Sequence, residues 1–277
     1  MPRSTPVSHE FLRRYGPWAV ITGASSGLGR AVAEELAAAG ASLLLVGRDQ
    51  ARLEAQARVL RPGAAGEIRT VAADLATEAG VETLLAASDA LDVGLLVQAA
   101  GFGTSGSFLR VERADEIEML RLNCEAVLKL SMHFAPRFAD RGRGGIVLFA
   151  SLVGRQGTPQ AAAYAATKGY VQILGEGLHA ELKPAGVDVL VCAPGPVSTG
   201  FASRANMVMG MADQPAPLAA PILRALGRRP LMTPGRVGRF LTWSLAPLPR
   251  GLRTRILGGV MAGVTRNAAP ADGRGAS

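Results

Sequence analysis

The chain has 277 residues, of which 48% are hydrophobic and 19% are charged. This composition suits a protein with a sizeable core and excludes a largely disordered chain. No apolar run reaches the roughly 18 residues of a membrane span, and residues 1–17 lack the apolar segment of an export signal. Two cysteines, Cys124 and Cys192, exclude a disulfide framework, and three scattered histidines predict no metal site. We therefore expect a cytoplasmic protein.

The net charge of +8 is concentrated near the end of the chain. Residues 1–200 carry 19 basic and 20 acidic side chains, whereas residues 201–277 carry 11 arginines against Asp213 and Asp272. Such a segment either attracts an anionic partner, such as lipid headgroups or an acidic protein, or is a solvated surface. A nucleic-acid partner is not expected, because no recognition element or interleaved aromatic residues accompany the arginines.

Short apolar runs alternate with longer amphipathic stretches along the chain. The pattern predicts strands at residues 18–21, 42–46, 68–72, 95–97, 146–149 and 187–192, and helices at 30–39, 51–60, 78–87, 116–137 and 161–182. An edge strand at 231–233 and short helices at 240–246 and 252–264 follow. Continuous apolar strands separated by helices predict an α/β fold, a doubly wound, Rossmann-like parallel sheet covered on both faces.

We expect a single domain over residues 1–277, with an N-terminal arm at 1–17, a dinucleotide-binding and catalytic core at 18–200 and a substrate lid with a C-terminal helical extension at 201–277. The lid begins with a stretch rich in methionine and proline that extends to Pro221. Met207, Met209 and Met211 alternate there. They form either a soft apolar wall for a substrate or ordinary core packing.

The first predicted strand leads directly into a glycine-rich turn, Thr22-Gly23-Ala24-Ser25-Ser26-Gly27-Leu28-Gly29. Gly23 permits a tight turn, while Gly27 and Gly29 let backbone approach a pyrophosphate and let a helix pack on the sheet. The following helix contributes N–H donors and a positive end for phosphate. The strand–turn–helix context predicts a dinucleotide site, although the glycine spacing differs from the commoner fingerprint.

The end of the second predicted strand bears on the type of dinucleotide. Gly47 occupies the position at which an NAD site places an acidic residue, and Arg48 follows it. Because arginine pairs well with a 2′-phosphate, NADP(H) is favoured over NAD(H). The alternative is that Arg48 faces solvent and Asp49 simply caps the next helix. Asp74, which ends the third strand, either accepts a hydrogen bond from the adenine amino group or caps a loop.

Tyr164 and Lys168 lie one helical turn apart and therefore on the same face of a predicted helix. A tyrosine normally ionises with a pKa of about 10. A neighbouring cation favours the phenolate and lowers this pKa, so Tyr164 is a candidate proton donor and acceptor. Ser151 follows the strand at 146–149, which places it at the carboxyl edge of the sheet as either a site residue or a cap.

These motifs together resemble the short-chain dehydrogenase/reductase family, well over residues 16–200 and loosely beyond them. The resemblance implies an oxidoreductase that interconverts a carbonyl and a secondary alcohol by hydride transfer with NAD(P)(H). It implies that Tyr164 is the general acid/base, that Lys168 lowers the tyrosine pKa and binds the nicotinamide ribose, that Ser151 hydrogen-bonds the substrate oxygen, and that Asn123 holds a proton-relay water. The implied cofactor-binding residues are Thr22, Gly23, Ser25, Ser26, Gly27, Leu28, Gly29, Arg48, Asp74, Leu75, Ala100, Gly101, Tyr164, Lys168, Pro194, Gly195, Val197 and Thr199.

The chain departs from the family at one motif. Where the family has Asn-Asn-Ala-Gly, this chain has Gln98-Ala99-Ala100-Gly101. Gly101 keeps the close approach to the cofactor, but we expect the loss of both asparagines to remove hydrogen bonds that tie the central strands.

The C-terminal part loosely resembles family members that act on steroids and long-chain oxoacyl compounds, so an apolar substrate is expected. Five residues form one predicted apolar face, which is either a membrane-surface helix or a subunit contact: Leu252, Ile256, Leu257, Val260 and Met261. The resemblance also implies a homodimer or homotetramer. The alternative function is a catalytically silent NADP(H)-binding sensor or scaffold with the same fold.

Overall fold

A computed structural model describes residues 9–205, 207 and 211–266. Its strands are β1 Trp18–Thr22, β2 Ser42–Gly47, β3 Ile68–Ala72, β4 Val93–Gln98, β5 Gly144–Phe149, β6 Val187–Cys192 and β7 Leu231–Met232. They form one parallel seven-stranded sheet in the order β3-β2-β1-β4-β5-β6-β7. The strand order reverses between β1 and β4, where doubly wound folds bind their ligands. The predicted fold class is confirmed.

Helices cover both faces of the sheet. They are α1 His9–Tyr15, α2 Gly27–Ala38, α3 Gln50–Leu60, α4 Glu78–Ser88, α5 Arg113–Leu120, α6 Ala126–Asp140, α7 Ala162–Leu182, α8 Phe201–Arg204, α9 Ala216–Ala225, α10 Arg236–Leu245 and α11 Arg250–Arg266. Alternate strand residues point to opposite faces. One apolar cluster therefore packs against α4, α5, α6 and α7, and the other against α1, α2, α3 and α9. Within the described residues, no helix is long and apolar enough to cross a membrane.

The helix predicted at 116–137 is wrong in its regularity and in its bounds. It begins at Arg113, ends at Asp140 and is interrupted by a π-helical turn, Arg121–Glu125, between α5 and α6. In this turn the Ala126 N–H bonds to the Arg121 carbonyl, five residues earlier. A π turn holds one extra residue and is frequent at functional sites, and Asn123 lies within it.

Three helices were not predicted from the sequence: α1, the four-residue α8 and α9. Helix α1 lies within the predicted arm, and α9 lies within the proline-rich stretch before and after Pro221. Pro221 interrupts the hydrogen bonding of α9, but α9 buries Leu218, Ile222 and Leu223 against the α2 face of the sheet. This burial outweighs the poor helix propensity of proline.

Candidate active site

The glycine-rich turn joins β1 to α2 at the carboxyl edge of the sheet. Gly23 and Gly27 have φ angles of +67° and +57°, which non-glycine residues rarely adopt. A Cβ atom on Gly23 would lie 2.8 Å from the Ala100 backbone nitrogen, and one on Gly29 would lie 2.5 Å from the Gly23 carbonyl oxygen. A Cβ atom on Gly27 would lie 2.9 Å from Thr199 Cγ2. The turn, which we call the glycine cradle, therefore packs closely on both the β4 end and the segment after β6.

Thr22 ties this turn to the neighbouring strand end. Its hydroxyl accepts a hydrogen bond from the Ala100 N–H at 3.1 Å and contacts the Val97 carbonyl at 3.5 Å. Ser25 lies near Gly47 at the end of β2, because a Cβ atom on that glycine would be 3.7 Å from Ser25 Oγ. Ser26 precedes α2 with extended backbone and makes no side-chain cap.

Arg48 follows β2 and is about half exposed. Its Nη1 atom lies 3.3 Å from Oε1 of Glu118, a residue of α5. The same carboxylate oxygen lies 2.9 Å from Nη2 of Arg204 in α8. Arg48 is therefore paired rather than simply solvated. Asp49 caps α3 by accepting a hydrogen bond from the Arg52 N–H at 3.0 Å, as the alternative from sequence supposed.

Asp74 lies after β3 and takes part in the loop that follows. One of its carboxylate oxygens accepts a hydrogen bond from the Ala76 N–H at 3.1 Å. This oxygen of Asp74 therefore caps the loop, which is one of the two roles considered from the sequence. The neighbouring Leu75 is buried and lines a cavity of about 370 Å³ together with the charged residues Arg121 and Lys129. Neither Ser151 nor Tyr164 lines this cavity, which lies outside the proton-transfer group.

Ser151, Tyr164 and Lys168 come together beside the end of β5. Ser151 lies close enough to the Tyr164 hydroxyl to lower the pKa of that group. The Lys168 ammonium donates to the Phe149 carbonyl at 2.8 Å and lies 5.9 Å from the centre of the Tyr164 ring. Tyr164 and Lys168 are both buried. A cofactor approaching Gly101 would meet Lys168, since a Cβ atom on this glycine would lie 3.4 Å from Lys168 Nζ.

Burial dominates the ionisation of this group. It raises the pKa of Tyr164 to about 12, although the nearby Ser151 side chain opposes the rise. It lowers the pKa of Lys168 to about 8, while the Cys124 thiol opposes that change. The expectation that Lys168 brings the Tyr164 pKa towards neutrality is therefore not met in the protein alone. Desolvation of the phenolate is the largest cause of the raised pKa of Tyr164, and burial also disfavours the charge of Lys168.

Asn123 is buried in the π turn and bonds to protein groups with its whole side chain. Its Nδ2 atom donates to the Phe102 carbonyl at 2.8 Å and to Thr167 Oγ1 at 3.0 Å, and its Oδ1 atom accepts from the Phe102 N–H at 3.2 Å. The Thr167 hydroxyl in turn donates to the Tyr164 carbonyl at 2.8 Å. Asn123 therefore fastens the segment after β4 to the helix that carries Tyr164.

The Gln98-Ala99-Ala100-Gly101 motif keeps a buried polar tie. The Gln98 amide donates to Ser131 Oγ at 2.9 Å and to the Val127 carbonyl at 3.2 Å. The expected loss of support is therefore partly wrong. The longer glutamine side chain reaches α6 and fastens the end of β4 to it.

The segment after β6 carries the predicted nicotinamide-side residues Pro194, Gly195, Val197 and Thr199. Val197 pairs with Asp213 in a parallel bridge. A Cβ atom on Gly195 would lie 2.7 Å from the Gly238 Cα atom, so α10 packs directly on this segment. Thr199 Oγ1 accepts a hydrogen bond from the Phe201 N–H at 3.2 Å.

Phe201, an aromatic residue that we did not predict, packs against Tyr164. The rings of Phe201 and Tyr164 lie 5.3 Å apart, and a Cβ atom on Gly103 would lie 2.7 Å from the Phe201 ring. The Arg204 guanidinium lies 3.6 Å from the centre of the Phe102 ring. The sequence offers only a weak signal for Phe201, its position just after the Pro194–Thr199 motif. It offers none for Glu118, whose partners are distant along the chain.

The methionine stretch of the lid is only partly described. Met207 is buried in the same apolar cluster as Tyr164, whereas Met211 is exposed. Met209 lies outside the described residues. Of the three methionines considered for an apolar substrate wall, Met207 is the one that lies buried in the described part of the chain.

Comparison with known proteins places this site in context. A model of the short chain dehydrogenase family matches residues 17–208. The chain is 34% identical over 189 residues to a 7beta-hydroxysteroid dehydrogenase of Clostridium sardiniense, covering 68% of this chain and 72% of the relative. It is 38% identical over 186 residues to a very-long-chain 3-oxoacyl-CoA reductase of Podospora anserina, covering 64% of this chain and 55% of that longer protein.

Solved structures of similar fold include enzymes of the same kinds. A structure from a study of 7beta-hydroxysteroid dehydrogenase stereoselectivity superimposes with a TM-score of 0.82 at 26% identity, covering 90% of this chain and 99% of the other. A short-chain dehydrogenase from Sphingobium yanoikuyae in complex with NADPH has a TM-score of 0.71 at 28% identity, covering 93% and 98%.

The fold, the glycine cradle and the buried tyrosine–lysine pair define an oxidoreductase of the nicotinamide-dinucleotide class. Within that class, this chain belongs to the short-chain dehydrogenase family.

Proposed function

We propose that this enzyme uses NADP(H) to interconvert a carbonyl and a secondary alcohol on an apolar substrate. The observation that carries the proposal is the meeting of Ser151, Tyr164 and Lys168 at the carboxyl edge of the sheet, beside the glycine cradle. When bound, the dinucleotide supplies or accepts the hydride. The protein must then manage one proton and one developing negative charge on the substrate oxygen.

Tyr164 is the proposed proton donor. With a pKa of about 12 its hydroxyl is protonated at neutral pH, so it can give a proton to the oxygen of a carbonyl substrate. Ser151 is placed to donate a hydrogen bond to the same oxygen and to stabilise its charge. In the reverse reaction, oxidation of an alcohol, the same group would accept the proton.

Lys168 and Asn123 have supporting roles in this proposal. The Phe149 carbonyl holds the Lys168 ammonium near Gly101, where it is placed to bind the nicotinamide ribose. Asn123 holds the Phe102 segment against α7 and so fixes the position of Tyr164. The role implied for Asn123 in holding a relay water remains part of the proposal.

NADP(H) is favoured over NAD(H) because Gly47 removes the acid that would bind the ribose 2′-hydroxyl, and Arg48 follows at the strand end. A guanidinium at this place suits a 2′-phosphate. The NADPH complex of the Sphingobium enzyme supports the same choice. Asp74 and Leu75 are proposed to contact the adenosine part of the cofactor.

The apolar substrate is supported by the surroundings of Tyr164. The Phe201 ring covers it at 5.3 Å, and the buried Met207 belongs to its apolar cluster. The names of the relatives, a hydroxysteroid dehydrogenase and an oxoacyl-CoA reductase, point to steroid-like and oxoacyl compounds. We propose a bulky apolar ketone of one of these two kinds.

A substrate screen tests the proposal. NADPH consumption is followed with oxo-steroids, 3-oxoacyl-CoA compounds and aromatic ketones, with sugars as polar controls and NADH as the comparison cofactor. We expect turnover with at least one apolar ketone and little with sugars. Tyr164→Phe should reduce kcat by roughly 10²- to 10⁴-fold, the usual contribution of a general acid, while NADPH still binds. Full activity in this variant contradicts the role of Tyr164.

A catalytically silent sensor or scaffold is the other function that we considered. NADPH binding without turnover of any carbonyl in the screen would favour it. The intact acid/base group argues against it, since a sensor has no need of Ser151, Tyr164 and Lys168 gathered at the end of β5. A homodimer or homotetramer, and a cytoplasmic location, remain predictions that size determination and cell fractionation test.

A further inference from the structure

Helices α10 and α11, which the four residues 246–249 join, expose five large apolar side chains. Trp243 and Phe240 of α10 are 76% and 64% exposed and lie three residues apart, on one helical face. Leu252, Ile256 and Val260 of α11 are also exposed and lie four residues apart. We call these five residues the outer surface. The apolar face predicted for residues 252–261 is therefore divided, because Leu257 and Met261 are buried instead.

The helices that carry the outer surface have only positive charges of their own, although the Asp213 carboxylate contacts the start of α10 and accepts a hydrogen bond from the Arg236 N–H at 3.4 Å. Residues 236–266 contain six arginines and no acidic residue. Arg236, Arg239, Arg250 and Arg255 are exposed. Arg253 differs, because its guanidinium donates to the Leu248 and Ala246 carbonyls at 2.7 Å each and fastens α11 to the end of α10. The exposed arginines are thus available to an anionic partner.

Other residues of both helices contact the loop before α7 and the segment after β6. A Cβ atom on Gly258 of α11 would lie 2.9 Å from Pro159, in the loop that precedes α7. In the same loop, Gln160 adopts a φ of +62°, and Oε1 of its side chain accepts a hydrogen bond from the Thr265 hydroxyl at 2.7 Å. Gly238 of α10 packs on Gly195 in the same way. These contacts attach α11 to the loop before α7 and α10 to the segment after β6.

We propose that the outer surface docks this protein on an anionic lipid surface. Exposed tryptophan and phenylalanine with aliphatic neighbours, flanked by arginines, is the composition of helices that lie in the membrane interface. Headgroups with negative charge complement arginines that have no acidic neighbours in this segment. The proposal concerns binding alone and does not depend on the reaction that the enzyme catalyses.

A second copy of the chain is the rival occupant. In a twofold contact each face meets itself, so the outer surfaces would bring arginines against arginines. With no acidic residue in either segment to neutralise them, such a contact is opposed by repulsion. Lipid headgroups remove this conflict, and for this reason the observations favour a membrane over a dimer at this surface.

The two tryptophans of the chain allow a direct test. Trp18→Phe leaves Trp243 as the single tryptophan, whose emission shifts to shorter wavelength when it enters a lipid interface. Protein is mixed with vesicles of phosphatidylcholine alone or with phosphatidylglycerol added, and flotation is measured. We expect binding to the vesicles that contain phosphatidylglycerol, a blue shift of Trp243 and weaker binding as salt increases.

Substitutions distinguish vesicle binding through the outer surface from non-specific vesicle binding. Phe240→Ser with Trp243→Ser should lower vesicle binding by about tenfold or more, since both large apolar groups are lost. Arg250→Gln with Arg255→Gln should lower binding only where phosphatidylglycerol is present. Val59→Ser, which changes an exposed apolar residue of α3, is the matched control and should bind as the wild type does.

Two results would overturn the proposal. One is a failure of vesicle binding to depend on the outer surface: the wild type does not float with vesicles that contain phosphatidylglycerol, or the double serine variant floats as well as the wild type does. The other is a double serine variant that changes from oligomer to monomer in sedimentation while the wild type shows no vesicle binding. That second result would assign the outer surface to another copy of the chain.

Discussion

The buried ammonium of Lys168 makes a clear prediction about pH. Burial lowers its pKa to about 8, so the group loses its charge above that pH in the free enzyme. We expect the affinity for NADPH, measured by fluorescence titration, to fall as the pH rises through about 8. The affinity for NADH should fall over the same pH range, because both cofactors carry the nicotinamide ribose. In Lys168→Met the affinity for NADPH should be lower by about tenfold or more, since a charged hydrogen bond contributes roughly 1.5–3 kcal/mol. It should also not change as the pH rises through about 8.

Arg48 and Glu118 should set the choice of cofactor together. Any 2′-phosphate that binds Arg48 must compete with the Glu118 carboxylate, which lies 3.3 Å from the guanidinium. We expect Arg48→Ala to weaken NADPH binding by about ten- to a hundredfold, the effect of one charged hydrogen-bonded pair, and to leave NADH binding nearly unchanged. Glu118→Gln should strengthen NADPH binding. Arg58→Ala, on the exposed side of α3, is the control, and an equal loss for both cofactors in Arg48→Ala would argue against this role.

The π turn between α5 and α6 holds the catalytic helix in place through Asn123. Asn123→Ala leaves the buried Phe102 N–H and carbonyl groups without their partners, and each such group costs about 1–3 kcal/mol. We expect the free energy of unfolding to fall by about 2–4 kcal/mol in chemical denaturation. Asn123→Asp keeps the acceptor for the Phe102 N–H but sets a carboxylate oxygen against the buried Phe102 carbonyl, so it should lose at least as much. If Asn123→Ala unfolds at the wild-type denaturant concentration, this tie does not stabilise the fold.

The elements that sequence predicted best are those whose signal is contiguous. The apolar strands β1 to β6, the glycine turn and the Tyr164–Lys168 spacing each lie within a few residues, so periodicity and local chemistry reveal them. The π turn adds one residue to the helix, and the hydrophobic periodicity of the sequence does not reveal it. Helix α9 depends on burial against α2, which overrides its prolines. In such cases tertiary contacts decide the local structure, and propensity alone predicts the wrong element.

Contacts between distant parts of the chain lay beyond prediction for the same reason. Glu118 meets Arg48 across 70 positions of sequence, and Gln98 reaches Ser131 across 33. The family motif indicated that Gln98 would weaken the site, but the length of its side chain replaces the lost tie. The division of α11 into a buried line and an exposed line was equally invisible, since both lines are apolar.

Asp188 joins the N-terminal helix to the far side of the sheet. It is fully buried in β6, and three side chains converge on its carboxylate. Arg14 Nε and the Tyr15 hydroxyl of α1 donate to one oxygen at 2.8 and 2.7 Å, and Lys183, just after α7, donates to the other at 2.8 Å. The predicted N-terminal arm is therefore, from residue 9 onwards, an integral part of the fold.

The ionisation of Asp188 links this network to pH. Burial favours the neutral acid, but the hydrogen bonds from Lys183, Tyr15 and Arg14 outweigh burial and hold the pKa of Asp188 below its usual value. A carboxylate with a lowered pKa in the folded state stabilises the protein above the pKa of the unfolded chain, and this contribution is lost as the pH falls through the folded value. The network should therefore contribute fully at neutral pH and progressively less below about pH 4.

Replacing Asp188 with Asn tests both the size and the pH dependence of this contribution. Removing one partner of a buried ion pair costs roughly 3–5 kcal/mol, and a smaller loss of about 2–3 kcal/mol is expected here because water can still reach the half-exposed Arg14 and Lys183. Urea denaturation should show this difference at neutral pH and a smaller one below about pH 4, where the wild type loses its carboxylate. Asp92→Asn, which breaks the surface pair with Arg141, is the control and should change the free energy of unfolding by less than about 1 kcal/mol. A difference for Asp188→Asn that is absent at neutral pH, or that grows as the pH falls, would show that the network does not stabilise the fold through this charge.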